Sequence, residues 1–169
     1  MPAQVCIDPV GEADFPVLAR LGETIWRQTY PGMISSAQID YMLAGRFAPE
    51  RLRQYLGATD RGLYLVRLAG EPVGYFSYAA TASAGQMKLE QLYLLAECRG
   101  QGLGGHMMRI VEARAREQAC RVLCLTVNKA NAQAIAVYRK AGFAVRESVV
   151  FDIGNGYVMD DYLMEKNLG

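Results

Sequence analysis

Hydrophobic positions change period along the chain, and the change divides it. Gln4 to Asp8 reads as a short first strand. From Glu12 to Tyr30, Phe15, Leu18, Leu21, Ile25 and Trp26 fall at spacings that gather them on one side of a helix. Pro31-Gly32 ends that helix. Ser35 or Ser36 is placed to cap a second one, carrying Ile39, Met42 and Leu43. A third helical stretch, Pro49 to Leu56, keeps its proline in the first turn, where a missing N–H is tolerated.

Beyond that point strand formers take over. Leu63 to Leu68 and Val73 to Ala79 form a hairpin across Ala69-Gly70-Glu71. Met87 to Leu95 is the next strand, and its alternation breaks. Met87 and Leu89 share one face, whereas Leu92 and Leu94 have the opposite parity. A bulge at Glu90-Gln91 reconciles the two halves, and bulges gather beside active sites. Gly102 to Gln118 is a helix with Leu103, Met107, Ile110 and Val111 as its buried stripe. Val122 to Val127 is a short apolar run, expected of a strand covered on both faces. Asn131 caps a last helix through Ala141, and Gly142 closes it. Phe143 to Ile153 and Tyr157 to Met164 form a closing hairpin turned by Asn155-Gly156. This order predicts one mixed-sheet α/β domain over residues 1–169, without repeats or linkers.

Composition narrows the partners. A net charge of +1 offers no broad basic field, which argues against nucleic acid. Arg99, Arg109, Arg114 and Arg116 cluster around one glycine-rich loop and the helix it opens, a pattern that suits a small anion. Cys6, Cys98, Cys120 and Cys124 lack zinc-site spacing and His106 is the single histidine, so no metal is expected. The cysteines are expected to be reduced and mostly buried. With no signal-peptide pattern and no apolar run near ~20 residues, neither secretion nor membrane attachment is expected, and the cytoplasm is the default compartment.

The loop itself is the main chemical signal. An apolar strand runs into Arg99-Gly100-Gln101-Gly102-Leu103-Gly104-Gly105, which opens a helix. Backbone N–H groups at such a junction, backed by the helix dipole, make a seat for an anion. Three diphosphate sites compete. Gly100-x-Gly102-x-x-Gly105 matches the dinucleotide fingerprint, but the next strand ends Thr126-Val127-Asn128 without the acidic residue that would bind ribose. The P-loop alternative needs Lys-Ser/Thr where His106-Met107 stands. The third pattern is Arg99-x-x-Gly102-x-Gly104.

That third pattern resembles the hallmark of the GNAT N-acetyltransferase superfamily. So does a second segment, Asn131 through Tyr138 to Gly142-Phe143, which is similar to the family's Asn, helix-borne Tyr and Gly-Phe signature. The resemblance covers about Leu63 to Lys166, and the N-terminal helices in outline. It implies a single-domain GNAT acyl-CoA N-acyltransferase fold, a mixed and mostly antiparallel sheet flanked by helices. The tail from Phe151 to Gly154 and from Asp161 to Lys166 is similar to that of the PaiA-like group, some of which acetylate polyamines.

The resemblance also implies a chemistry. Acetyl-CoA would be the co-substrate, with its diphosphate on the main chain of Arg99, Gly100, Gln101, Gly102, Leu103, Gly104 and Gly105. Its pantetheine arm would lie along Leu92, Tyr93 and Leu94, bonded to backbone groups of Leu92 and Leu94. Asn131 would contact the pantetheine as well as cap its helix. Tyr138 would be the general acid beside the sulfur. A phenol near ~10 and a thiol near ~8.5 leave full proton transfer uphill by about 2 kcal/mol, so hydrogen bonding to the developing thiolate is its expected main contribution. Glu90 is the candidate base, directly or through a water, and a backbone N–H near Leu92 the oxyanion donor. The helix dipole could lower the Cys98 thiol pKa, but no catalytic role is expected of it.

The acceptor is expected to be a small-molecule primary amine or a peptide amine. Trp26, Tyr30, Tyr75, Tyr78 and Tyr157 could wall a site for an ammonium group, with Glu90, Asp160 and Asp161 adding negative charge. A CoA-sensing module of the same fold without turnover is the alternative function. Many members of the superfamily form dimers, so a homodimer is allowed by the same resemblance.

Overall fold

The computed structural model describes residues 4–169, so the first three residues of the expected domain lie outside the described residues. One seven-stranded sheet runs through the molecule in the order β1-β2-β3-β4-β5-β7-β6. Its strands are β1 (Val5–Pro9), β2 (Arg61–Leu68), β3 (Glu71–Ala80), β4 (Gln86–Leu94), β5 (Val122–Asn128), β6 (Ala144–Gly154) and β7 (Tyr157–Asn167). Every neighbouring pair is antiparallel except β4 and β5.

The hairpin turns follow from backbone chemistry. Ala69-Gly70 and Asn155-Gly156 both carry positive φ at two successive residues, the twist-compatible geometry of two-residue hairpins. The first turn is therefore one residue tighter than Ala69-Gly70-Glu71, with Glu71 already in β3.

Among the described residues five α-helices cover the two faces: α1 (Phe15–Thr29), α2 (Ser36–Arg46), α3 (Pro49–Leu52), α4 (Leu103–Glu117) and α5 (Ala132–Lys140). The Ser35 hydroxyl caps α2 by accepting from Gln38 N–H. Two helices are shorter than the periodicity predicts. Residues 12–14 form a 3-10 turn, with Gly11 N–H donating to the Asp14 carboxylate, before α1 starts. Pro49 to Leu56 divides into α3 and a second 3-10 turn, Arg53–Tyr55. α4 and α5 lie on one face, where Met107, Val111, Leu123, Leu125 and Met164 are sealed from solvent. α1 packs on the other face against Leu63, Leu65 and Tyr75. Each such fully buried aliphatic side chain contributes about 1.5–3 kcal/mol, enough to fix which face of each strand points where.

Two irregularities position the site. Ser77 pairs with Gln91 while Tyr78 pairs with Leu89, so Glu90 is the extra residue of a bulge. The parity break expected at Glu90-Gln91 is thus a real change of register. In addition, β4 pairs with β5 only over Gln86–Lys88 and Val122–Cys124. Beyond Lys88 the two strands part, which opens the sheet at its middle.

Candidate active site

The open stretch of β4 presents main chain. Leu95 N–H donates to the Val73 carbonyl, which fixes the antiparallel alternation back along β4. Tyr93 opposite Tyr75 is then a hydrogen-bonded pair, and Leu92 and Leu94 fall between such pairs. Their N–H and C=O groups consequently point away from β3 and into the gap. An extended amide-bearing ligand fits there as an added strand.

The glycine loop closes one end of the gap. Gly100 and Gly102 have φ of +77° and +87°, a left-handed backbone that favours glycine, and Gly102 is the N-cap of α4. No side chain caps this helix, and its first described internal bond is from His106 N–H to Gly102 C=O. The N–H groups of Leu103, Gly104 and Gly105 are left outward for an anion. Arg99 lies in extended backbone, and its guanidinium donates to the Thr29 hydroxyl at 3.0 Å, tying the loop to the end of α1. Gln101 donates to the Glu97 carbonyl. Arg109 sits beside Gly105. Arg114 and Arg116 do not join the cluster: about 18 Å of helix separates Gly102 from Arg114, and both pair with glutamates of α4 itself.

Asn131 caps α5 by accepting from Ala134 N–H. One helical turn beyond Ile135, the Tyr138 ring packs edge-on to Phe143 with centroids 5.8 Å apart. Burial pushes the Tyr138 phenol well above its ordinary pKa, and neighbouring Tyr93 adds to the effect. From the opposite face come Tyr93 of β4 and Tyr30 at the end of α1, their hydroxyls 2.8 Å apart. Burial raises the Tyr30 phenol too, with Tyr93 and Tyr138 contributing. Three phenols thus converge on the opening from both sides of the sheet. The Tyr30–Tyr93 pair was not foreseen as a hydroxyl contact, because it joins residues 63 positions apart.

Glu90 stands on the bulge, and its Oε1 accepts from the Tyr55 hydroxyl at 2.5 Å. Burial and this carboxylate push Tyr55 up to about 12. Gln91 donates to Ser77 Oγ beside it, leaving its own Oε1 without a hydrogen-bond partner among the described residues. Trp26, Tyr30, Tyr75 and Tyr93 form one aromatic group, with Trp26 Nε1–H donating to the Tyr75 hydroxyl. The wall expected from sequence is otherwise dispersed. Tyr78 lies on the α4 face against Tyr64, since residues 75 and 78 of one strand point to opposite sides. Tyr157 meets Tyr41 at a tilt near the closing hairpin, with ring centroids 5.3 Å apart. The Cys98 thiol is buried, and burial pushes its pKa up with Glu97 adding, so the lowering expected of it is not found. Cys120 and Cys124 are buried and Cys6 is half-buried, all as free thiols. Among the described residues no His/Cys/Asp/Glu cluster could hold a metal, and no helix is long and apolar enough to cross a membrane.

A split sheet edged by main chain, with outward amides at the start of α4, leaves a place for an extended anionic ligand. The acetyltransferase (GNAT) family model matches residues 24–143, and the chain belongs to that family. A Mycobacterium tuberculosis protein named as an uncharacterized N-acetyltransferase is 26% identical over 155 residues, spanning 92% of this chain and 98% of the relative. Streptothricin acetyltransferase of Streptomyces lavendulae is 32% identical over 87 residues, 52% of this chain and 46% of its own. In three dimensions the chain is similar to the PaiA N-acetyltransferase of Thermoplasma acidophilum, solved with coenzyme A. The TM-score is 0.83 at 20% identity, covering 97% of this chain and 99% of that one.

Proposed function

We propose that this protein transfers an acetyl group from acetyl-CoA to a primary amine by direct attack. The observation that carries this reading is the parting of β4 from β5 beyond Lys88. It leaves the Leu92 and Leu94 peptide groups open beside the amide cradle at Leu103 to Gly105, with Gly104 next to the Leu94 side chain. Acetyl-CoA supplies the acetyl group as a thioester. The residues of the chain do the rest. Arg99 and the loop amides hold the diphosphate, Leu92 and Leu94 align the arm, and a backbone N–H near Leu92 receives the developing oxyanion. Asn131 orients α5 so that Tyr138 faces the sulfur.

The raised pKa of Tyr138 sharpens its role. Burial widens the gap between phenol and thiol, so a hydrogen bond to the developing thiolate comes first and proton donation follows as charge builds on sulfur. Glu90, fastened by Tyr55, supplies negative charge on the acceptor side and is the base reached directly or through a water. Calorimetry with coenzyme A, followed by a panel of primary amines with thiol detection, tests the reading. Coenzyme A binding with thiol release on an amine is expected. Binding without release on any amine would favour the CoA-sensing alternative, and no binding at millimolar coenzyme A would remove the reading altogether.

A further inference from the structure

Asp161 is a charged residue that the mechanism above does not use. It lies on β7 opposite Asn128, at the end of β5 that has parted from β4. Along β7 it shares a face with Met159, whose sulfur accepts from the Gln38 amide of α2, so Asp161 points to the side of the sheet that α1 and α2 cover, as Tyr93 does. Only 5% of the residue is exposed, and its Oδ1 has no hydrogen-bond partner among the described residues. The charges around it do not neutralise it. Lys88 of β4 draws its pKa down and Asp160 pushes it up, while Lys129, whose own effect is to lower it, is paired with Asp160 at 2.7 Å and sits over the Tyr162 ring. Burial dominates and raises the carboxyl to about 6. Burial raises the phenol of Tyr93, which borders the gap, and Asp161 adds a smaller push in the same direction. A buried carboxylate oxygen with no donor is costly, and a ligand cation is the partner that removes the cost.

We propose that Asp161 receives the ammonium group of the acceptor and takes its first proton before attack. This rests on the acetyltransferase reading given above. The ammonium passes one proton to Asp161, which returns it to solvent after turnover. The neutral nitrogen forms its bond to the acetyl carbon as the carbon–sulfur bond breaks. The second proton lost by nitrogen balances the one that ends on the departing thiolate. Burial favours this exchange from both ends, because it raises a carboxyl and lowers an ammonium, closing a gap of about 6 pH units that separates them in water. Glu90, the base of the reading above, takes that second proton directly or through a water, and its charge helps draw the cation in.

The test compares Asp161→Asn with wild type on ethylamine and on trifluoroethylamine, the second being largely neutral at pH 7. The variant should lose roughly a hundredfold in kcat/KM on ethylamine and no more than about threefold on trifluoroethylamine. Equal losses on both amines, or none on ethylamine, would overturn the assignment. Carbon-13 carboxyl NMR of the wild-type protein reads the same site without turnover or substitution. Added ethylamine should move the Asp161 titration to lower pH, and an unmoved titration would overturn the proposal. Wild-type protein inert toward both amines would count against the acetyltransferase reading, and the NMR titration would still decide Asp161 by itself.

Discussion

On the β4 wall of the gap, Glu90 accepts from Tyr55, Gln91 donates to Ser77, and Tyr93 shares a hydrogen bond with Tyr30. On the β7 wall, Asp161 is just as deeply placed and its Oδ1 is bonded to nothing described. The first wall is a finished scaffold apart from one amide oxygen of Gln91, and its groups hold one another in place. The second keeps an acceptor in reserve. Buried polar groups are ordinarily satisfied, so the difference separates residues that build the cleft from one that awaits something in it.

The largest effect expected lies between the walls. Tyr138→Phe should lower turnover by roughly 10²–10⁴ while leaving coenzyme A affinity within about twofold, measured by steady-state kinetics and calorimetry. Unchanged turnover would show that neither wall works with this phenol.

Next comes a stability measurement on the β7 wall. Folded Asp161 holds its proton to about pH 6, above its ordinary 3.8. Between those values the native state binds more protons than the unfolded one, so stability falls as pH rises and the penalty is complete above about 6. Asp161→Asn should relieve it by up to about 3 kcal/mol at pH 7, less what the buried amide itself costs, and by nearly nothing at pH 4. Urea unfolding at the two pH values checks the sign. A variant destabilised at pH 7 would place Asp161 among the scaffold residues.

A smaller change is expected at the anion seat. Gly102→Ala forces a side chain into left-handed backbone, costing about 1–2 kcal/mol and weakening coenzyme A by about tenfold. Calorimetry would read an affinity equal to wild type as a fault in the proposed amide cradle. Glu90→Gln closes the series, with a loss in kcat/KM of roughly tenfold on ethylamine, smaller than for Asp161→Asn because a water can still carry the second proton away. A larger loss there than for Asp161→Asn would reverse the roles of the two walls.

Much of this arrangement was legible in the chain. The parity break around Glu90-Gln91 announced the bulge because alternation can change phase only by adding a residue. The loop from Arg99 to Gly105 and the Asn131 to Phe143 segment announced the family because two spaced motifs constrain each other. Arg114 and Arg116 misled, since nearness in sequence is distance along a helix. Tyr78 misled for a reason the strand period already contained: three residues from Tyr75, it must face the other way. Asp161 was expected only as one of three acids near the acceptor, and its burial depends on how α2 docks over Met159. The Tyr55–Glu90 and Tyr30–Tyr93 bonds were out of reach, because they depend on how distant elements dock.

The gap between β4 and β5 has one lasting consequence. Its β4 edge consists of peptide groups, and substitution can alter the leucines at 92 and 94 without deleting a single amide. Mutational drift can therefore repack the layers behind the edge while its row of peptide groups persists.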